Sequence, residues 1–173
     1  LNLLRKNNYA LIPGSGINIS NFPNYKKKKK KNLFKFLYVG RIIKEKGVIE
    51  LVNAFRKISS KDKKIKLILV GSIRENFKKK FFKKLDSNIK HYNFTKKIFR
   101  YYKNADCFIM PSYREGLSRA ILEASCLKLP NIASNVPGCR ELVKNNFNGY
   151  LFNVNQQQSI RNALKKILFL KNK

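Results

Sequence analysis

Residues 34–47 read Phe34-Lys35-Phe36-Leu37-Tyr38-Val39-Gly40-Arg41-Ile42-Ile43-Lys44-Glu45-Lys46-Gly47. A short, largely apolar and aromatic run stopped by a glycine is the pattern of a strand buried on both faces. Residues 48–58 then place apolar side chains at 48, 49, 51, 52, 55 and 58, the spacing of one helix face. The unit recurs: residues 65–70 form a second apolar run, again stopped by a glycine, Gly71. Further strands are expected at 89–92, 107–110 (ended by Pro111), 131–133 and 150–152. Helices are expected at 77–85, 98–102, 118–128 (Ser118 as N-cap) and 156–170, with a helical turn at 140–143. Short apolar strands alternating with helices predict an α/β domain, a Rossmann-like parallel sheet covered on both faces. Ligands of such sheets bind beyond the carboxyl ends of the strands, so Gly40-Arg41, Gly71-Ser72 and residues 111–116 are the places to look.

The chain has 173 residues and a formal net charge of +30, from 39 Lys and Arg against 9 Asp and Glu. That length suits one domain, and 43% hydrophobic residues suffice for a core. The charge invites nucleic acid or an anionic membrane as partner. Yet 30 Lys, 21 Asn and 17 Ile make up nearly two-fifths of the chain, all residues with A/T-rich codons, so biased composition explains most of it. Position sharpens the point: residues 1–44 carry 11 basic residues and no acid, whereas 111–158 carry 5 basic and 3 acidic. The run of lysines at 26–31 repels itself and is expected to be a solvated loop.

Three cysteines without a CxxC pair, and one histidine, are too few soft ligands for a structural zinc site. Sparse, odd cysteines suit a reducing cytosol; Cys107, Cys126, Cys139 and His91 are read as packing residues. No apolar run reaches the roughly 18 residues of a membrane span. Ile160, Ala163, Leu164, Ile167 and Leu168 form a stripe opposite Arg161, Lys165 and Lys166, which suits a core-packed last helix or an interfacial one. A start at Leu1 and the turn signal Pro13-Gly14-Ser15-Gly16 lead us to expect a piece of a longer protein, with 1–20 a linker remnant and 21–173 the domain.

Two stretches carry chemistry. In the loop 40–47, Arg41 and Lys46 lie near a strand's carboxyl end and a helix N-terminus, where an anion would meet two cations and a helix dipole; ordinary surface cations remain the alternative. No P-loop or GxGxxG accompanies them. In the stretch 111–124, Glu115 precedes a helix and Glu123 lies within it among Ala120, Ile121, Leu122 and Ala124. A carboxylate there needs a partner, either Arg119 one turn earlier or a ligand diol. Gly116, Leu117 and Ser118 would offer free backbone N–H groups at the helix start.

Taken together and in order, these blocks resemble the C-terminal domain of GT-B glycosyltransferases, closest to the retaining glycosyltransferase family 4. The matching stretches are Ile12 to Asn18, Phe36 to Arg41 with Glu45-Lys46-Gly47, Leu69-Val70-Gly71, Ala105 to Phe108, Pro111 to Leu117, the E-x7-E pair Glu115/Glu123, Val136 to Glu141 and Asn148 to Leu151. The resemblance implies a nucleotide-diphosphate-sugar substrate, no metal or other cofactor, and transfer to a glycan or lipid-linked acceptor in polysaccharide biosynthesis. It implies that Gly40, Arg41 and Lys46 meet the diphosphate, Arg41 and Lys46 stabilising the leaving charge. Gly116 and Leu117 would offer N–H groups, Glu123 would hold the ribose diol, and Glu115 the transferred sugar. Asn93 stands where the family has Gly; Asn is the residue that best tolerates φ > 0 in its place. The N-terminal acceptor domain is missing, so the isolated chain is expected to bind donor without turnover, at the cytoplasmic face of a membrane. The competing readings are a basic module for nucleic acid or anionic membrane, and an inactive truncated fragment; no specific nucleic-acid motif is present.

Overall fold

The computed structural model describes residues 16–22, 33–60, 62–74, 78 and 85–171. The start of the expected linker, the lysine run at 26–31, and residues 77 and 79–84 of the expected basic helix lie outside the described residues. The strands are β1 (Phe34–Val39), β2 (Ile65–Val70), β3 (Ile89–Tyr92), β4 (Cys107–Met110), β5 (Asn131–Ser134) and β6 (Gly149–Phe152). They form one six-stranded sheet in the order β3-β2-β1-β4-β5-β6, and every pair is parallel.

The order has a consequence for binding. The chain starts at the centre, winds out to β3, returns beside β1 as β4, then winds to the other edge. Right-handed crossovers in opposite directions place their helices on opposite faces. Accordingly α1 (Val48–Ser59) packs against α4 (Gln157–Lys171). On the other side α2 (Phe99–Lys103) reaches α3 (Arg119–Cys126) through Tyr102. Between β1 and β4 the winding reverses, and sheets wound in this way form their binding crevice beyond the strand ends at that point. The loops leaving these two strands begin at Gly40 and Pro111.

The core explains why the central strands tolerate no polar face. Phe36, Phe55, Tyr102 and Phe108 are fully buried, each burial contributing roughly 1.5–3 kcal/mol. Phe36 and Phe55 meet edge to face with centroids 5.9 Å apart. Asp106 fixes the register of the sheet's centre. Its Oδ2 accepts from the Lys35 N–H at 2.8 Å, and its own N–H donates to the Lys35 carbonyl at 2.8 Å.

Element boundaries follow the sequence reading closely, with informative exceptions. Helix α3 stops at Cys126 rather than 128 because Lys128 turns left-handed, φ 55°. The N–H groups of Lys128 and Leu129 fold back on the carbonyls of Ser125 and Ala124. Ser118 is the N-cap, but its side chain makes no capping bond. Residues 140–143 lie in the expected helical turn, with the Val143 N–H on the Cys139 carbonyl at 3.1 Å. Asn93 keeps a negative φ, since Lys128 and Asn146 are the left-handed non-glycine residues among those described. His91 is structural: its Nε2 lies 2.8 Å from the Gly71 carbonyl, tying β3 to the turn after β2.

Candidate functional site

Three loops converge at the crevice, and backbone contacts lock them together. In the first, Ile42 is fully buried, and its N–H donates to the Ser72 carbonyl at 2.8 Å. A 3-10 turn (Lys44–Lys46) then ends at Gly47, which adopts φ 60°. A Cβ on Gly47 would lie 2.0 Å from the Pro111 carbonyl oxygen, so only glycine lets the first loop approach the second this closely. The Tyr113 N–H donates to the Glu45 carbonyl at 3.0 Å, a second backbone tie between them. The third loop carries Gly138, φ 81°, where a Cβ would lie 1.3 Å from the Gly116 carbonyl oxygen.

This packing brings Lys46 to Glu115. The Lys46 Nζ lies 2.6 Å from Glu115 Oε1, and their side chains are 21% and 12% exposed. Fully buried Ser112 donates its hydroxyl proton to the same oxygen at 2.6 Å. The Ser112 carbonyl in turn accepts from the Ser134 hydroxyl on β5. Glu115 is therefore gripped through Oε1 alone, and Oε2 has no partner among the described residues. Lys46 spends one of its three donors on Glu115 and keeps two.

Arg41 is exposed and makes no ion pair among the described residues. Its backbone is held, because the hydroxyl of buried Tyr38 donates to the Arg41 carbonyl at 2.7 Å. Gly40 leads into this loop, with its N–H donating to the Val70 carbonyl at 3.0 Å.

At the start of α3 the outcome is mixed. The Ser118 N–H is taken by the Gly138 carbonyl at 3.2 Å, so it is not one of the free donors the sequence suggested. The N–H groups of Gly116 and Leu117 have no partner among the described residues. Two unsatisfied backbone donors beside a helix start form an anion-binding feature.

Glu123 is half-buried on α3, and its protein partner is not the Arg119 that the helical spacing offered. Fully buried Tyr102 donates its phenolic proton to Glu123 Oε2 at 2.9 Å. Arg119 is exposed and forms no pair with it among the described residues. Again one oxygen is held and the other, Oε1, accepts nothing from the described residues. Burial, then the charge and hydrogen bond of Glu123, raise the Tyr102 phenol well above its ordinary range, so it stays a donor. Cys139, fully buried near the same loops, is pushed up to about 12 by burial and then by Glu115, against weaker opposing effects of Ser134 and Lys46. It is a packing thiol.

The sequence singled out Gly40, Arg41, Lys46, Glu115, Gly116, Leu117 and Glu123; the fold places all but Glu123 in the loops after β1 and β4, joins Lys46 to Glu115, and joins Glu123 on α3 to Tyr102. Sequence reasoning gave no role to Ser112, Tyr102 or Gly138. Only Gly138 had a local signal, the Pro137-Gly138 turn dipeptide. Among the described residues no cluster of three or more His, Cys, Asp or Glu could hold a metal ion, and no helix is long and apolar enough to cross a membrane.

A parallel sheet in this order, with its polar loops at the switch point, invites comparison with known proteins. The family model "Glycosyl transferases group 1" matches residues 21–173. The chain belongs to this family of glycosyltransferases. Among its relatives, it is 31% identical over 135 residues to the capsular polysaccharide biosynthesis glycosyltransferase CapM of Staphylococcus aureus, a match covering 76% of this chain and 36% of that protein. It is 32% identical over 146 residues to the UDP-Gal:alpha-D-GlcNAc-diphosphoundecaprenol alpha-1,3-galactosyltransferase of Escherichia coli, covering 80% of this chain and 37% of the relative. The crystal structure of the C-terminal domain of the group 1 protein LpcC from Francisella tularensis superposes with a TM-score of 0.78 at 25% identity, over 88% of each chain. This glycosyltransferase chain thus spans less than two-fifths of these curated relatives and matches most of an isolated C-terminal domain. Its fold is one half of the GT-B architecture.

Proposed function

We propose that the crevice binds the nucleoside-diphosphate sugar of a retaining glycosyltransferase, which passes the sugar to a glycan or lipid-linked acceptor in polysaccharide biosynthesis. The observation that carries this reading is a set of unused capacities in one place. Two Lys46 donors, the exposed Arg41, the Gly116 and Leu117 N–H groups and one oxygen on each of Glu115 and Glu123 lack protein partners among the described residues. Cations and N–H groups suit a diphosphate, and open carboxylate oxygens suit hydroxyls.

In this reading Arg41 and Lys46 neutralise the diphosphate and the charge that grows as it departs. The Gly40 turn lets the phosphates approach the backbone, and Gly116 and Leu117 donate to phosphate or sugar oxygens. Glu123 receives the ribose hydroxyls, and Glu115 a hydroxyl of the transferred sugar. Both carboxylates serve as hydrogen-bond acceptors, which separates them from the acid and nucleophile of a glycosidase. Acceptor binding falls to an N-terminal domain outside this chain, so the chain alone binds donor without transferring sugar. The capsular-polysaccharide and diphosphoundecaprenol relatives named above support a glycan or lipid-linked acceptor; in this reading the transfer takes place at the cytoplasmic face of the membrane. Calorimetric titration with UDP, GDP and UDP-sugars tests the proposal. Binding that is weakened by Arg41→Ala, with unfolding temperature preserved, is expected. A folded chain that binds none of them at millimolar concentration would refute it.

A further inference from the structure

Tyr102 sits on a five-residue helix, 21 positions before Glu123, and belongs to none of the stretches that carry the family resemblance. Its ring is fully buried against Phe108 of β4, with centroids 5.7 Å apart. The ring packing leaves the hydroxyl one good acceptor, Glu123 Oε2 at 2.9 Å; the Ala120 carbonyl, also on α3, lies at 3.4 Å. Glu123 pairs with no cation among the described residues and lies on a helix whose Ile121 and Ala124 are buried. Free to rotate, its carboxylate would sample several orientations, each costing affinity for a ligand that needs one. The phenol removes that freedom by fixing Oε2. It also leaves Oε1 open, as Ser112 leaves Oε2 of Glu115 open.

We infer that Tyr102 is a positioning residue for nucleotide recognition: its hydroxyl orients Glu123 so that the free carboxylate oxygen meets the ribose hydroxyls of the donor. The inference rests on the donor-site reading of Glu123. A purely structural alternative makes Glu123 merely the acceptor that satisfies a buried phenol. The two differ in what the Tyr102→Phe variant does. Phe keeps the ring packing, so the domain stays folded in either case. If the hydroxyl positions Glu123, the loss appears selectively in ribose recognition.

The experiment measures binding of UDP, GDP and their 2′-deoxy forms to the wild-type chain and to Tyr102→Phe and Glu123→Gln, with unfolding temperatures recorded alongside. Glu123→Gln keeps an oxygen for the phenol but not the charge. Tyr102→Phe is expected to weaken the bound ribonucleotide about three- to tenfold, the worth of one hydrogen bond. It should weaken the 2′-deoxy form less, so that discrimination between the two shrinks. Glu123→Gln should shrink it further. If Glu123→Gln lowers ribonucleotide affinity and Tyr102→Phe leaves both affinity and discrimination at wild-type values, the positioning role is overturned while the donor site stands. Equal weakening of both nucleotide forms by Tyr102→Phe, tracking a fall in unfolding temperature, also overturns it. Absence of nucleotide binding to the folded wild type overturns the donor site and the positioning role together.

Discussion

The crevice has two walls that solve the same problem differently. The loop wall carries Glu115 and compensates its charge inside the protein, with Lys46 and Ser112 both on one oxygen. The helical wall carries Glu123, which has a hydroxyl from Tyr102 and no cation among the described residues. The first wall is an assembly of three loops and depends on backbone contacts at Gly47 and Gly138. The second is two short helices bridged by the Tyr102 hydroxyl. The difference teaches that a carboxylate's chemistry is set by what reaches it across the fold. The loop wall should be the fragile one, and its charge balance should matter to stability as well as binding.

The largest effect is expected where the loop wall is locked. Gly138→Ala introduces a Cβ 1.3 Å from the Gly116 carbonyl oxygen at a left-handed φ, and should lower stability by about 2–4 kcal/mol in denaturant unfolding. Gly116→Ala, with nothing within 4 Å of the added carbon, should stay within about 0.5 kcal/mol of wild type. Comparable losses in both variants would break the account of the loop wall.

Next in size is the charge balance. Lys46→Ala leaves Glu115 with Ser112 alone, and because the pair is mostly but not wholly buried, a cost of about 1–2 kcal/mol is expected, between exposed and buried ion pairs. Arg119→Ala on the helical wall should change stability by less than about 0.5 kcal/mol, since Arg119 is exposed and does not pair with Glu123. Chemical denaturation of the two variants side by side sharpens the contrast; equal costs would contradict it.

The last contrast is a pH slope to which both walls contribute. Cys139 is raised from 9.0 to about 12, mainly by burial and then by Glu115. Tyr102 and Tyr38 are raised above 10.0, mainly by burial and then by Glu123 and Glu115 respectively. A folded-state pKa above the unfolded value means the folded state holds its proton more tightly. The stability from these groups is complete below about pH 9 and lost as pH rises above it. Denaturation midpoints followed from pH 8 to 11 should fall, and the fall should be smaller in Tyr102→Phe.

Much of the fold was legible because its strands are short, largely apolar and punctuated. Gly40, Gly71 and Pro111 mark the ends of β1, β2 and β4, and those ends are where the loops of the candidate site start. The site residues were legible where they sit in these loops or at the start of α3. What escaped was every long-range hydroxyl. Tyr102 meets Glu123 because β3, α2 and β4 bring two helices together on one face, and no sequence spacing encodes that meeting. Arg119 was the natural local partner for Glu123, yet it points to solvent, since helical spacing defines which residues can be neighbours and not which of them turn inward. The Ser118 N–H was lost to Gly138 for the same reason: a loop 20 residues later fills it. The charge of +30 does not single out Arg41 and Lys46, the two of the 39 basic residues that the proposed donor site would use.

The most direct test of the account is an amide NMR titration of the isotopically labelled chain with UDP and GDP. The account predicts that one of these nucleotides shifts the Gly40, Arg41, Gly116 and Leu117 amides first and furthest, with Glu123 and its neighbours on α3 following. Shifts confined to other surfaces, or a folded chain whose amides at Gly116 and Leu117 do not respond to either nucleotide, would contradict it.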